Sequence, residues 1–125
     1  MGVKVRYKKP DFLSKAQFSL WQDYHKWQRT INEKLQPIGL NYLQAILIMS
    51  IQWHSEVDSK ITQIQIATTL SIDPMLASLS IRALEKNGWL NRKTHPNDTR
   101  AKSLHLTGKT HQHLKNIQAI LTKKL

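Results

Sequence analysis

Residues 62–88 read TQIQIATTLSIDPMLASLSIRALEKNG. Thr62 followed by Gln65 is a capping-box pattern, in which each side chain satisfies the other residue's backbone N–H and opens a helix. That helix is short, Gln63 to Leu70, with Ile66, Ala67 and Leu70 on its inner face. Ser71 and Ile72 form a tight turn. Asp73 is a favoured N-cap, and Pro74 takes the first helical position, where its missing N–H costs nothing. The helix it begins runs over 74–87, and Gly88 is a natural left-handed stop.

The chain continues through 88–107 as GWLNRKTHPNDTRAKSLHLT. Leu90 on one side and Leu104 and Leu106 on the other alternate with polar residues, as the two strands of a hairpin do. Between them stand Arg92, Lys93, His95, Asp98, Arg100 and Lys102, with Pro96 and Asn97 at the tip. A hairpin that only closes a core does not need four cations around its turn. Two helices joined by a tight turn and followed by a basic hairpin read as a winged helix-turn-helix.

The flanks are helical. Residues 1–10 form a basic arm, expected to be extended. Ser14 and Gln17 make another capping box, after which Leu13, Ala16, Leu20, Tyr24, Trp27, Ile31 and Leu35 recur every three or four residues. Pro37 and Gly39 end that helix. Asn41 caps a second helix, 42–54, which is apolar on most faces and therefore central. Thr107 caps a last helix with Leu114, Ile117, Leu121 and Leu125 on one face. The expected class is mainly α with a minor α+β element, in one domain without linker or internal repeat.

With 125 residues, 40% of them hydrophobic, the chain can bury a core of its own. Its formal net charge is +11, with an isoelectric point near 10.1, which points to a polyanionic partner: nucleic acid before an anionic membrane. The charge is uneven. Residues 35–81 hold only Lys60 against Glu56, Asp58 and Asp73, whereas 82–125 hold ten Lys and Arg against Glu85 and Asp98. No cysteine is present, so disulfides and thiolate metal sites are excluded. The start lacks the apolar core of a signal peptide, Arg6 does not fit a myristoylation site, and the apolar run Ala45 to Met49 is too short to span a bilayer. A cytoplasmic location is expected.

Four segments of this chain resemble the MarR family of winged-helix transcriptional regulators. Leu40-Asn41-Tyr42-Leu43-Gln44 with Leu47 is similar to the family's entry into its second helix. Ile61 to Ala67 resembles its T-x-x-x-L-A helix. Ile81 to Arg92 resembles the L-E-x-x-G-x-[IV]-x-R exit from its recognition helix. Asn97 to Ala101 with Leu104 to Thr107 resembles its wing. The resemblance spans roughly 40–110. It implies one MarR-like domain over 1–125. Within it, 1–36 supply the basic arm and an N-terminal dimerisation helix, 40–106 the winged helix-turn-helix, and 107–125 a C-terminal dimerisation helix. It also implies a homodimer that binds a pseudo-palindromic double-stranded DNA site as a transcriptional regulator, a repressor in the leading reading.

In such a protein the first turns of helix 74–87 face base edges, here Pro74, Met75, Leu76, Ser78 and Leu79. The family shows Arg, Ser, Thr or Gln at several of these sites, whereas only Ser78 keeps a hydrogen-bonding group among them. Met75, Leu76 and Leu79 can meet thymine methyls but cannot read guanine. An alternative is that this apolar face binds a protein partner, leaving an accessory or architectural DNA-binding protein with little sequence preference. By the resemblance, Arg100 of the wing 91–103 enters the minor groove, Asp98 holds it or the loop, and Arg92, Lys93 and Lys102 lie along phosphates. Arg92 equally suits a structural pairing with Glu85. Thr62 offers a phosphate its backbone N–H, and Arg82 lies further along the recognition helix.

Family members also bind aromatic or anionic small-molecule effectors between the dimer helices and the DNA-binding lobe. Trp21, Tyr24, His25, Trp27 and Trp53 are the candidates here, although core packing is the commoner role for aromatics at this spacing. No catalytic group, cofactor or metal is expected. The acids are scattered, there is no phosphate loop or nucleophile elbow, and no cluster has metal-ligand spacing.

Overall fold

The computed structural model describes residues 11–58, 60–95 and 98–123, without the side chains of residue 95 and of 98–101. The arm 1–10, the turn at 96–97 and Leu125 lie outside the described residues.

Helix α1, Lys15–Leu35, opens on the expected capping box. The Ser14 hydroxyl accepts the Gln17 N–H at 3.2 Å, and the Gln17 side-chain oxygen accepts the Ser14 N–H at 3.0 Å. Leu35 leads into a 3-10 turn, Gln36–Ile38, closed by Gly39 at φ 87°, a conformation that a Cβ disfavours. Helix α2, Tyr42–Ser55, begins on a reciprocal Asn41–Gln44 pair at 2.8 and 3.0 Å and runs one residue past the expected end. Thr62 and Gln65 cap α3, Gln63–Leu70, in the same way. Ser71 then adopts φ 54° to turn the chain, a left-handed conformation that only short polar residues and glycine visit readily.

Helix α4, Pro74–Lys86, starts with the Asp73 carboxylate accepting the Met75 N–H at 3.3 Å. Asn87 is its C-cap rather than its last residue, and Gly88 follows at φ 82°. The hairpin is longer than the sequence implies: β1, Leu90–His95, pairs antiparallel with β2, Asp98–Leu106. The register sets Leu90 opposite Leu106 and Arg92 opposite Leu104, with an irregularity between Thr94 and His95. The Leu104 N–H also donates to the Ile61 carbonyl at 2.9 Å, and Thr62 bridges Ser103, so the approach to α3 forms a third edge on the wing.

Helix α5, Gly108–Leu121, follows Thr107. Thr107 occupies the N-cap position, but its hydroxyl makes no cap bond to the helix N–H groups. It donates instead to the Gly88 carbonyl at 2.7 Å. The cap expected from the sequence is therefore diverted to the base of the hairpin. The Thr110 hydroxyl donates to the Trp89 carbonyl, and the Lys109 ammonium sits 4.3 Å from the Trp89 ring centre. These contacts fasten the first turn of α5 to the point where the wing leaves α4.

The core forms around α2, which buries Leu43, Ala45, Leu47, Ile48 and Ile51. Ile31 and Leu35 of α1, Ile66 of α3, Ile81 and Leu84 of α4, Leu90 and Leu104 of the hairpin, and Ile117 of α5 join them in one cluster. Each fully buried Leu or Ile contributes roughly 1.5–3 kcal/mol. Trp53, near the end of α2, departs from the all-buried expectation and is 63% exposed.

Candidate nucleic-acid interface

The inner stripe of α4, Ala77, Ile81 and Leu84, is buried in the core. A 3.6-residue repeat therefore turns Met75, Leu79, Arg82 and Lys86 outward in one row. Met75 is 65% exposed and Leu79 58%, and Arg82 and Lys86 are exposed one and two turns further on. Pro74 is exposed at the start, and Ser78 is half-buried beside the row. The outward row is thus apolar where the helix begins and cationic where it ends. The Asp73 cap and Pro74 leave the N-terminal turn of α4 pointing outward from the tight turn at Ser71.

Thr62 is half-buried and its hydroxyl is engaged in capping α3. Its bridge to Ser103 brings the start of α3 beside β2. On the wing, Lys93 and Lys102 are exposed. Asp98 and Arg100 lie on β2, but their side chains, and with them the expected Asp98–Arg100 contact, lie outside the described residues. Arg92 is placed differently from the other wing cations. Its Nε donates to the Glu85 carboxylate at 3.1 Å and its Nη2 lies 3.0 Å from the same oxygen. This bond holds the Glu85 carboxyl below its ordinary range. Arg92 is therefore a strut between α4 and β1, the structural pairing that its sequence position also suited.

The chain is similar to known proteins over this region. A sequence model of the MarR family matches residues 55–102, from the end of α2 into β2. The uncharacterized HTH-type transcriptional regulator YdcH of Bacillus subtilis (strain 168) is 32% identical over 90 residues, covering 72% of this chain and 61% of that relative. Residues 55–102 of the chain belong to the MarR family. The chain spans about three fifths of the length of that curated relative. Its fold is also that of the family's solved structures. The S. aureus MepR–DNA complex superposes with a TM-score of 0.77 at 20% identity, over 86% of this chain and 76% of that one. A mutant of MarR from E. coli complexed with operator DNA gives 0.73 at 23% identity, over 83% and 71%.

The chain also holds a cleft of about 260 Å³ where α1, α2 and the helix-turn-helix meet. Tyr24 and Trp27 of α1 and Tyr42 and Ile46 of α2 face Leu70, Ile72 and Leu76 across it. The Tyr24 hydroxyl donates to the Tyr42 hydroxyl at 2.8 Å. Burial, and then this bond, push the Tyr24 phenol up to about 12. Of the aromatic residues singled out from the sequence, Tyr24 and Trp27 line the cleft. Trp21 is 60% exposed and packs on His25 at 4.1 Å between ring centres, and Trp53 packs on His54; none of these lines it. Leu76 lines the cleft and is nevertheless 43% exposed as a whole. Local spacing carries no pairing signal for Tyr42, because its partner lies eighteen residues away on another helix.

Among the described residues, no three His, Asp or Glu side chains group as a metal site, and no helix is long and apolar enough to cross a membrane.

Proposed function

We propose that this protein is a non-enzymatic, DNA-binding transcriptional regulator that acts in the cytoplasm as a homodimer, and that it represses its target. The observation that carries this reading is the outward row of α4. It follows a capped short helix and a tight turn, ends in Arg82 and Lys86, and adjoins a wing bearing Lys93 and Lys102. That is the geometry of a helix entering the major groove while cations grip the backbone on either side. MepR and MarR, to which the chain is similar in fold, have structures with DNA.

Dimer formation is supported by α1 and the turn just before it. Phe12, Leu20 and Trp21 are 83%, 71% and 60% exposed. Large apolar side chains grouped this way mark an interaction surface. A second copy covering them, with 107–125 contributing alongside 1–36 in one MarR-like unit, sets two α4 helices roughly 34–36 Å apart for successive major grooves. The cleft beside Tyr24 and Tyr42 suits a flat aromatic effector, because most of its lining is apolar and three of its side chains are aromatic.

The test is to select bound fragments from sheared DNA of the source organism at about 0.15 M salt, which suppresses weak phosphate-driven binding. Enrichment of an inverted repeat is the expected result. Retention of fragments without a common motif would favour an architectural protein whose α4 surface binds another protein.

A further inference from the structure

We infer that the protein selects its site by thymine methyl groups, read by Met75 and Leu79, so that each half-site presents thymines rather than guanines where α4 enters. The inference rests on the duplex-binding reading and says what that duplex must look like.

Three observations lead to it. First, residues 74–81 contain no Arg, Lys, Asn or Gln, the side chains that make bidentate contacts to guanine or adenine edges. Second, the side chains that do point outward there are Met75 and Leu79, both more than half exposed. Leu76 is partly accounted for by the cleft, and Ser78 is half-buried, so neither explains this pair. Third, the same row continues into Arg82 and Lys86, with Lys93 and Lys102 exposed on the wing. An apolar start that runs on into cations matches a polyanion that carries apolar groups.

The major groove of T-containing DNA is such a surface, since thymine projects its C5-methyl between two phosphate backbones. Residues four apart on a helix are about 6 Å apart along its axis. That is roughly two base steps of about 3.4 Å. Met75 and Leu79 can therefore meet methyl groups two steps apart along the groove. Leu and Met give no hydrogen bond to any base, so discrimination comes from the buried methyl contact alone.

The experiment uses the duplex recovered by fragment selection, with deoxyuridine replacing thymidine. Uracil keeps the base pair and loses only the methyl. Removing one contacted methyl from each half-site is expected to weaken binding about fifteenfold, roughly fourfold per methyl. The same replacement outside the half-sites should leave affinity unchanged. In the Met75→Ala and Leu79→Ala variants, both at exposed positions, the uracil penalty should shrink. An enriched site whose affinity is indifferent to uracil at every half-site thymine overturns the inference and leaves the duplex-binding reading standing. A selection that enriches no sequence overturns the inference together with the site-specific regulator reading, and leaves the architectural one.

Discussion

Helix α4 and the β1–β2 hairpin leave the same core, anchored by Leu84 and Leu90, and present opposite chemistry to solvent. The outward row of α4 opens with Met75 and Leu79, whereas the wing offers Lys93 and Lys102. Their supports differ as well. Helix α4 is held by an apolar stripe pressed into the core. The wing is held by polar contacts at its base, where the Thr107 and Thr110 hydroxyls bond the carbonyls of Gly88 and Trp89 and Arg92 reaches back to Glu85. The contrast separates two jobs. Cations attract any duplex, and their attraction fades with salt. An apolar row gains only where the groove offers apolar groups, so it discriminates without adding much attraction.

The largest expected effect strikes what the two regions share. Leu84 is fully buried between α4 and the rest of the core, so Leu84→Ala should cost about 3 kcal/mol in denaturant unfolding. A cost under about 1 kcal/mol would show that α4 is anchored elsewhere. Next comes the wing. Arg100→Ala should weaken DNA binding about 30-fold, on the order of 2 kcal/mol for a lost charge-assisted contact. Unchanged affinity in a titration would remove the wing tip from the interface and break the division of labour.

The smallest effect tests the strut between the regions. Glu85→Gln should cost at most about 1 kcal/mol, because both partners of the ion pair are partly exposed. The sign with pH follows from the lowered carboxyl. Its stabilisation is fully present above the ordinary value of 4.5 and is lost as pH falls through the depressed folded value. Urea midpoints of the wild type and Glu85→Gln should therefore differ at pH 7 and converge in acid. A gap that persists in acid would assign the effect to something other than the Arg92 pairing.

Much of this architecture was legible in local spacing. Ser14 with Gln17 and Thr62 with Gln65 signalled helix starts because a capping box closes within four residues. Gly39 and Gly88 marked helix ends because both need a positive φ. What escaped was long-range. The diversion of the Thr107 hydroxyl to Gly88, the Lys109–Trp89 contact and the Tyr24–Tyr42 bond join residues about twenty positions apart. No periodicity reports such pairs. The apolar stripe of α1 illustrates the limit. Its 3.6-residue spacing indicated one face, yet Leu20 is 71% exposed while Tyr24 lines the cleft, because how far along α1 the other helices reach is a tertiary matter. For the interface, the sequence named both outward apolar residues of α4 and the wing cations. It left open whether Arg92 faced phosphate or Glu85, since both lie within reach of its long side chain.

The division between discrimination and attraction is tested most directly by measuring affinity for the selected site and for scrambled duplex across a range of salt. The proteins to compare are the wild type, a Met75→Ala and Leu79→Ala double variant, and Lys102→Ala. The double variant should lose preference for the selected site while keeping the wild-type slope of log affinity against log salt. Lys102→Ala should keep the preference and reduce the slope by about 1 for each protomer's lost phosphate contact. If the α4 variant instead changed the slope and kept its preference, or Lys102→Ala erased the preference, the roles assigned to the two regions would be wrong.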